Sequence, residues 1–290
     1  MSLFLRDLRE YEFLQYAVLA SLLASVACGV IGSLVVVRRT TYSVGAIAHS
    51  VLCGMGVAQY LRIVHGVEGA TPLAGATVAA LVAALLIALL TRSGRQREDT
   101  VLSAVWAVGM AVGVTFISMT PGYFEDLMSY LFGNILMVGA EDLRQMAVLD
   151  AVVLGAVFLF YEKFLVVSFQ PELARLRGVK VDFYHTLMLV LAALTVVLLT
   201  QVVGLVMVIA LMALPAATAS MLTGRLWKMM LVASLLCMVF TVGGVAVSYG
   251  PELPAGATVI ELTGVGFFAV AVGKWIWKRM RRAAHGHPEG

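Results

Sequence analysis

Nine apolar stretches, each long enough to cross a lipid bilayer as a helix, follow one another at about 13–37, 42–63, 72–91, 101–119, 145–161, 184–200, 203–221, 229–249 and 257–275. A helix rises about 1.5 Å per residue and the hydrocarbon core is about 30 Å thick, so roughly 17 to 25 apolar residues make a span. The expectation is an all-α, polytopic integral membrane protein of eight to nine transmembrane helices, with the 184–221 region the one that divides either way. Composition agrees. With 61% hydrophobic and 13% charged residues among 290, the chain has too little polar surface to cover a soluble domain. No polar stretch is long enough to build one, so residues 1–290 read as a single transmembrane domain.

A tenth apolar stretch, Leu127 to Val138, is too short to cross. Gly133 and Asn134 interrupt it, and it lies between Glu125/Asp126 and Glu141/Asp142. It reads as a re-entrant or interfacial helix. The first residues carry Arg6, Asp7, Arg9, Glu10 and Glu12 in mixed sign, unlike the basic region and short apolar core of a signal peptide.

Lys and Arg set the orientation. If the loop after the first span is cytoplasmic, every one of the 20 basic residues falls on the cytoplasmic side except Arg6, Arg9, Arg62 and Arg144. The N-terminus is then outside and the C-terminus, with a basic tail at 276–290, is cytoplasmic. Glu68, Glu125, Asp126, Glu141, Asp142 and Glu252 give the outer face an acidic character that draws cations, or they are ordinary solvated loop residues.

The chain holds no G-x-x-x-x-G-K-[ST] loop, no G-x-G-x-x-G and no H-E-x-x-H. It therefore shows no means of binding nucleotide or catalysing hydrolysis itself, and is not read as an enzyme. Energy has to come from an ion gradient or a second protein. Gradient-driven carriers use acidic residues within their spans, and only Asp150 and Glu261 qualify, each within a turn or two of a predicted helix end. The 170–180 loop addresses the other option. Pro171 at a helix-starting position, helix formers after it and Gly178 at the end predict a helix of about two turns, with Leu173, Leu176 and Val179 toward one side. Such a helix could lie on the membrane or dock into another protein.

Four segments resemble the permease subunits of bacterial ABC importers for zinc and manganese. The loop Pro171-Glu-Leu-Ala-Arg-Leu-Arg-Gly-Val179 is similar to the family's coupling helix, which inserts into the ATPase subunit. The apolar block from Val203 to Ala219, the segment from Asp126 to Leu143 and the stretch from Leu253 to Val259 match further segments in the right order. The resemblance covers nearly the whole chain. It implies the ABC importer permease fold and import of a divalent transition metal through the bacterial cytoplasmic (inner) membrane, zinc before manganese or iron. It implies an ATP-hydrolysing partner subunit, a periplasmic or lipid-anchored metal-binding protein and a second permease copy, in a homo- or heterodimer. Membrane lipid surrounds the chain, no nucleic acid is involved, and no cofactor is bound permanently; the metal is cargo and ATP sits on the partner. Glu172, Ala174, Arg175 and Gly178 become the residues that couple to the ATPase. The alternatives are a secondary carrier or channel without an ATPase, or a degenerate partner permease in a heterodimer.

Within the spans, His49 is the residue that needs explaining. Arg38 and Arg39 mark the membrane surface, and ten residues of helix carry His49 roughly 15 Å inward, near the midplane. An ionisable ring at that depth is a candidate functional residue. The family resemblance gives it a role, since members carry a pattern similar to Gly-Asp-x-x-x-His in which the two ligands stand on one helical face. In Thr41-Tyr-Ser-Val-Gly-Ala-Ile-Ala-His-Ser50 the histidine is kept and Gly45 stands where the aspartate falls. Three arrangements are open. A different permease supplies the carboxylate; two His49 rings, with Ser43, Ser50 or water, suffice for transient binding; or His49 only hydrogen-bonds a neighbouring helix.

Other residues carry less. His65 and Glu68 lie together at the outer mouth and could pass metal inward. His185 reads as interfacial, and His285 and His287 lie in the tail. Cys28, Cys53 and Cys237, with Met207 and Met212, read as core. Gly29, Gly32, Gly54 and Gly56 are expected to allow close helix approach.

Overall fold

The computed structural model describes residues 2–92, 97–121, 133, 135–251 and 253–284. Its helices are α1 (Ser2–Glu10), α2 (Glu12–Val37), α3 (Thr41–Val64), α4 (Pro72–Arg92), α5 (Glu98–Ser118), α6 (Ala140–Phe169), α7 (Pro171–Leu176), α8 (Val181–Val203), α9 (Leu205–Leu222), α10 (Leu226–Tyr249) and α11 (Ala255–Ala284). Among the described residues there is no strand, and nine helices, all but α1 and α7, are long and apolar enough to cross a membrane. The uncertain 184–221 region is two spans. They part at Gly204, whose φ of 85° needs a residue without Cβ. His185 near the start of α8 touches Arg38, while Ala216 and Ala219 of α9 cluster with Val36 and Val37. Both lie beside the end of α2, so the chain turns back at this single glycine.

Helices α2 and α3 form the centre. The apolar windows of both are 67% buried, against 22% for α6 and α11 at the periphery. α2 packs on α6, α8, α9 and α10, and α3 on α4, α5 and α8. Lipid tails are as apolar as leucine, so these contacts depend on close packing rather than on exclusion of water. Small residues provide it. A Cβ on Gly54 would collide with the Gly75 backbone and one on Gly75 with the Gly54 backbone, which fixes the α3/α4 crossing. Gly29 and Gly32 likewise lie against Ser234 and Met212, as expected. Cys28, Cys237, Met207 and Met212 are buried in the core, whereas Cys53 is half-buried.

Three boundaries differ from the sequence reading. Helix α6 begins at Ala140, where Asp142 accepts the Gly139 amide at 3.0 Å, and not at 145. Asp150 therefore sits about three turns inside the helix, buried, with Oδ2 unpartnered among the described residues. The apolar run underestimated the helix because its first turn is polar. Residues 276–284 of the expected basic tail continue α11 as helix. Of the Leu127–Val138 stretch, the described part is Gly133 and a 3₁₀ turn at Ile135–Met137 followed by Val138; Gly133 lies against Val203 and Gly204, and Ile135 is buried. Its remaining residues, with Glu125, Asp126, Glu252, His285 and His287, lie outside the described residues.

Short helix α1 was not expected from its mixed charges. Phe4 packs edge-on to Tyr249, and the Tyr249 hydroxyl donates to Asp7 at 3.1 Å, tying α1 to the end of α10.

Candidate functional site

Two places on the bundle carry polar chemistry, one at its end and one inside. At the end, the α2–α3 turn, the end of α4, the start of α5 and the α6–α7–α8 connection enclose a polar cleft of about 370 Å³ lined by Arg38, Glu98, Glu172, Arg175, Asp182 and His185, among others. These are loops that the charge bias assigned to one side. Pro171 opens α7 as predicted, and Ala174 is fully buried against Val167 and Val181. Of the apolar residues Leu173, Leu176 and Val179, only Val179 joins that contact. Leu173 is exposed and Leu176 is 86% exposed, because the six-residue helix turns its small alanine inward and leaves the larger leucines facing out. Glu172 and Arg175 are exposed, and Arg175 bridges Glu172 at 3.8 Å and Asp182 at 3.4 Å. Asp182 also pairs with Arg92 at 2.9 Å. Gly178 ends the segment with φ 76° and no neighbour within 4 Å of a Cβ.

Arg38 ties this segment to the rest. Val167, four residues before Pro171, has a carbonyl that the proline cannot serve, since proline has no N–H. Arg38 Nη1 donates to that carbonyl at 2.7 Å, and Nη2 lies 3.0 Å from His185 Nδ1, which must accept because arginine only donates. Burial pushes the guanidinium below its ordinary value. Arg39 beyond it is the one described non-glycine residue with a positive φ, 61°, at the tight turn into α3. The sequence reading used Arg38 only as a marker of the membrane surface.

Inside the bundle, His49 is half-buried on α3. Its ring stacks on Trp106 of α5, with centroids 4.4 Å apart and planes 18° from parallel. Tyr42 packs on the same indole at 5.3 Å. Among the described residues no hydrogen bond joins His49 to a neighbouring helix; the contact is a ring face. Ser50 does not turn to it. The Ser50 hydroxyl donates to Ala46 O at 2.9 Å and faces Gly109 across the α3/α5 seam. Ser43 is buried with its hydroxyl unpartnered, on a different side of α3 from His49. His65 caps the end of α3 edge-on to Tyr60, and both His65 and Glu68 are exposed with no ion pair between them. Among the described residues no three His, Cys, Asp or Glu side chains converge on a metal-sized site. Among the described residues, one chain thus brings a single imidazole, His49, to this part of α3. Trp106 was missed because it lies on another helix; its only sequence signal is Gly109 and Gly113 three and seven residues on, the spacing of one helical face.

Among the described residues, nine helices long and apolar enough to cross a membrane, with a short polar segment docked at one end and His49 inside the bundle, define a polytopic membrane protein. Residues 10–274 match the ABC 3 transport family. An uncharacterized membrane protein of Synechocystis is 43% identical over 89% of both chains. The manganese transport system membrane protein MntC of Listeria monocytogenes is 34% identical over 92% of each. The solved structure of PsaBC from Streptococcus pneumoniae in complex with Fab superposes with a TM-score of 0.81 at 28% identity, covering 93% of this chain and 94% of that one. This chain belongs to the ABC 3 transport family, as the permease the resemblance implied.

Proposed function

We propose that the chain is one of two membrane-spanning subunits of an ATP-driven importer for a divalent transition metal, and that His49 is its transient ligand in the pathway. The observation that carries this is an imidazole within an apolar span, half-exposed and free of hydrogen bonds to its neighbours among the described residues. Such a ring is costly in lipid and useful beside a second copy that brings its own. Manganese is favoured over the zinc expected from sequence, because named relatives such as the Listeria MntC are manganese transport proteins. Both ions accept nitrogen and oxygen ligands. The exposed face of α7, with Glu172, Arg175 and Leu176, meets a separate ATPase, and the acidic outer side receives metal from a binding protein. The N-terminus is outside and the C-terminus cytoplasmic.

The test is uptake of radioactive Mn²⁺ and Zn²⁺ by cells that depend on this chain and its partners. Uptake of Mn²⁺ is expected to fall to background for His49→Ala while membrane insertion and ATPase recovery stay normal. Wild-type uptake would remove His49 from the pathway. Metal movement by the purified chain alone in liposomes would favour a carrier that needs no ATPase.

A further inference from the structure

We propose that Trp106 is the residue that positions His49 for metal, and that Gly45 lets this ring lie close along α3. The inference rests on His49 being the metal ligand. Tyr42, Gly45 and His49 stand at i, i+3 and i+7, which puts them on one face of α3. The Trp106 indole lies along that face, against the Tyr42 ring, under Gly45 and flat on the imidazole. A Cβ on residue 45 would come within 3.3 Å of Trp106 Cζ3, tighter than an ordinary contact, so the indole would have to give by a few tenths of an ångström.

The seam beside the indole is tight. Gly109 and Gly113 share its face of α5; a Cβ on Gly109 would lie 2.9 Å from Ser50 Oγ, and one on Gly113 would lie 2.8 Å from the Cys53 amide nitrogen. The two helices therefore cross closely beside the indole. The imidazole torsion next to it, broad for an unconfined histidine, is fixed by the stack.

Stacking suits ligation. The lone pair that binds metal lies in the plane of the imidazole, so a ring covered on its face keeps its coordinating edge open. A metal-bound imidazole carries more positive charge than a free one, and the electron-rich indole face attracts it more strongly. The plate therefore favours the loaded form and sets the direction from which metal arrives, along α3 and not across the α3/α5 seam.

The experiment compares Mn²⁺ uptake kinetics in cells for the wild type, His49→Ala, Trp106→Ala, Trp106→Phe and Trp106→Leu, with rates normalised to inserted protein in its complex. Trp106→Ala is expected to raise the half-saturating Mn²⁺ concentration by about three- to tenfold, the range an aromatic pair contributes, and to leave the maximal rate within about twofold. Trp106→Phe restores a face for stacking and brings the half-saturating concentration back toward wild type. Trp106→Leu, which fills the seam without a ring face, behaves like Trp106→Ala and replaces it should the alanine variant fail to insert. A wild-type half-saturating concentration in Trp106→Leu, or a loss of maximal rate alone that phenylalanine does not rescue, overturns the positioning role while leaving His49 as the ligand. Wild-type uptake by His49→Ala overturns both readings at once.

Discussion

Arg38 permits the most direct test of how the short helix α7 is held. Val167 is 2% exposed, and its carbonyl is served by Arg38 Nη1 at 2.7 Å in place of the N–H that Pro171 lacks. A hydrogen bond to a charged group is worth about 1.5–3 kcal/mol, and a buried carbonyl left unmade costs about 1–3 kcal/mol. Against this stands the desolvation of the guanidinium, the same burial that pushes it below its ordinary value. A net loss of about 2 kcal/mol is expected for Arg38→Gln. It corresponds to a fall of roughly 4–8 °C in the thermal unfolding midpoint for a domain of this size. Arg38→Lys places one point charge where a fork spans two acceptors, so it can keep the bond at 2.7 Å or the contact with His185 at 3.0 Å, not both. It should recover about half of the loss. The functional consequence is larger than the stability change, because Arg38 stands at the turn between α2 and α3. Loosening it separates α7 from the helix that carries His49, and ATP hydrolysis in the reconstituted complex should become less dependent on metal delivery. The reasoning is refuted if Arg38→Gln melts at the wild-type midpoint, or if Lys and Gln melt alike.

Further outcomes follow from the packing. Gly54→Ala would place a Cβ 2.6 Å from the Ala79 Cβ and onto the Gly75 backbone, so α3 and α4 must separate by about 1 Å; a loss of about 1–3 kcal/mol, or of folded yield on size-exclusion chromatography, is expected. Ala174→Leu overfills the contact with Val167 and Val181, and should lower recovery of the ATPase subunit on affinity purification while the chain still inserts. At Gly178 a Cβ meets nothing within 4 Å, so Gly178→Ala is charged only the positive φ, about 1 kcal/mol, read as a small shift in the same unfolding midpoint.

Run length made the spans legible. A helix needs only its own residues to satisfy its backbone, and the membrane selects for continuous apolar length, both properties of one dimension. The errors are of the same origin. Helix α6 starts five residues earlier than its apolar run because Asp142 caps a polar first turn, and that shift carries Asp150 from a helix end to a buried position. The residue that seats α7 was not singled out, because periodicity draws attention to Leu173 and Leu176, whereas it is Ala174 that packs between Val167 and Val181.

What the sequence determined by itself was the class of protein, its candidate spans, the span that carries His49 and the family, since each depends on residue type and order along the chain. What only the tertiary structure decided was partnership. Trp106 reaches His49 from another helix, and Arg38 reaches the Val167 carbonyl from far earlier in the chain. Close crossings at Gly54 and Gly75, and at Ser50 and Gly109, bring those groups within contact distance. The physical reason is that backbone pairing within a helix is local, while the contacts that orient a ring or satisfy an orphaned carbonyl exist only after helices have packed.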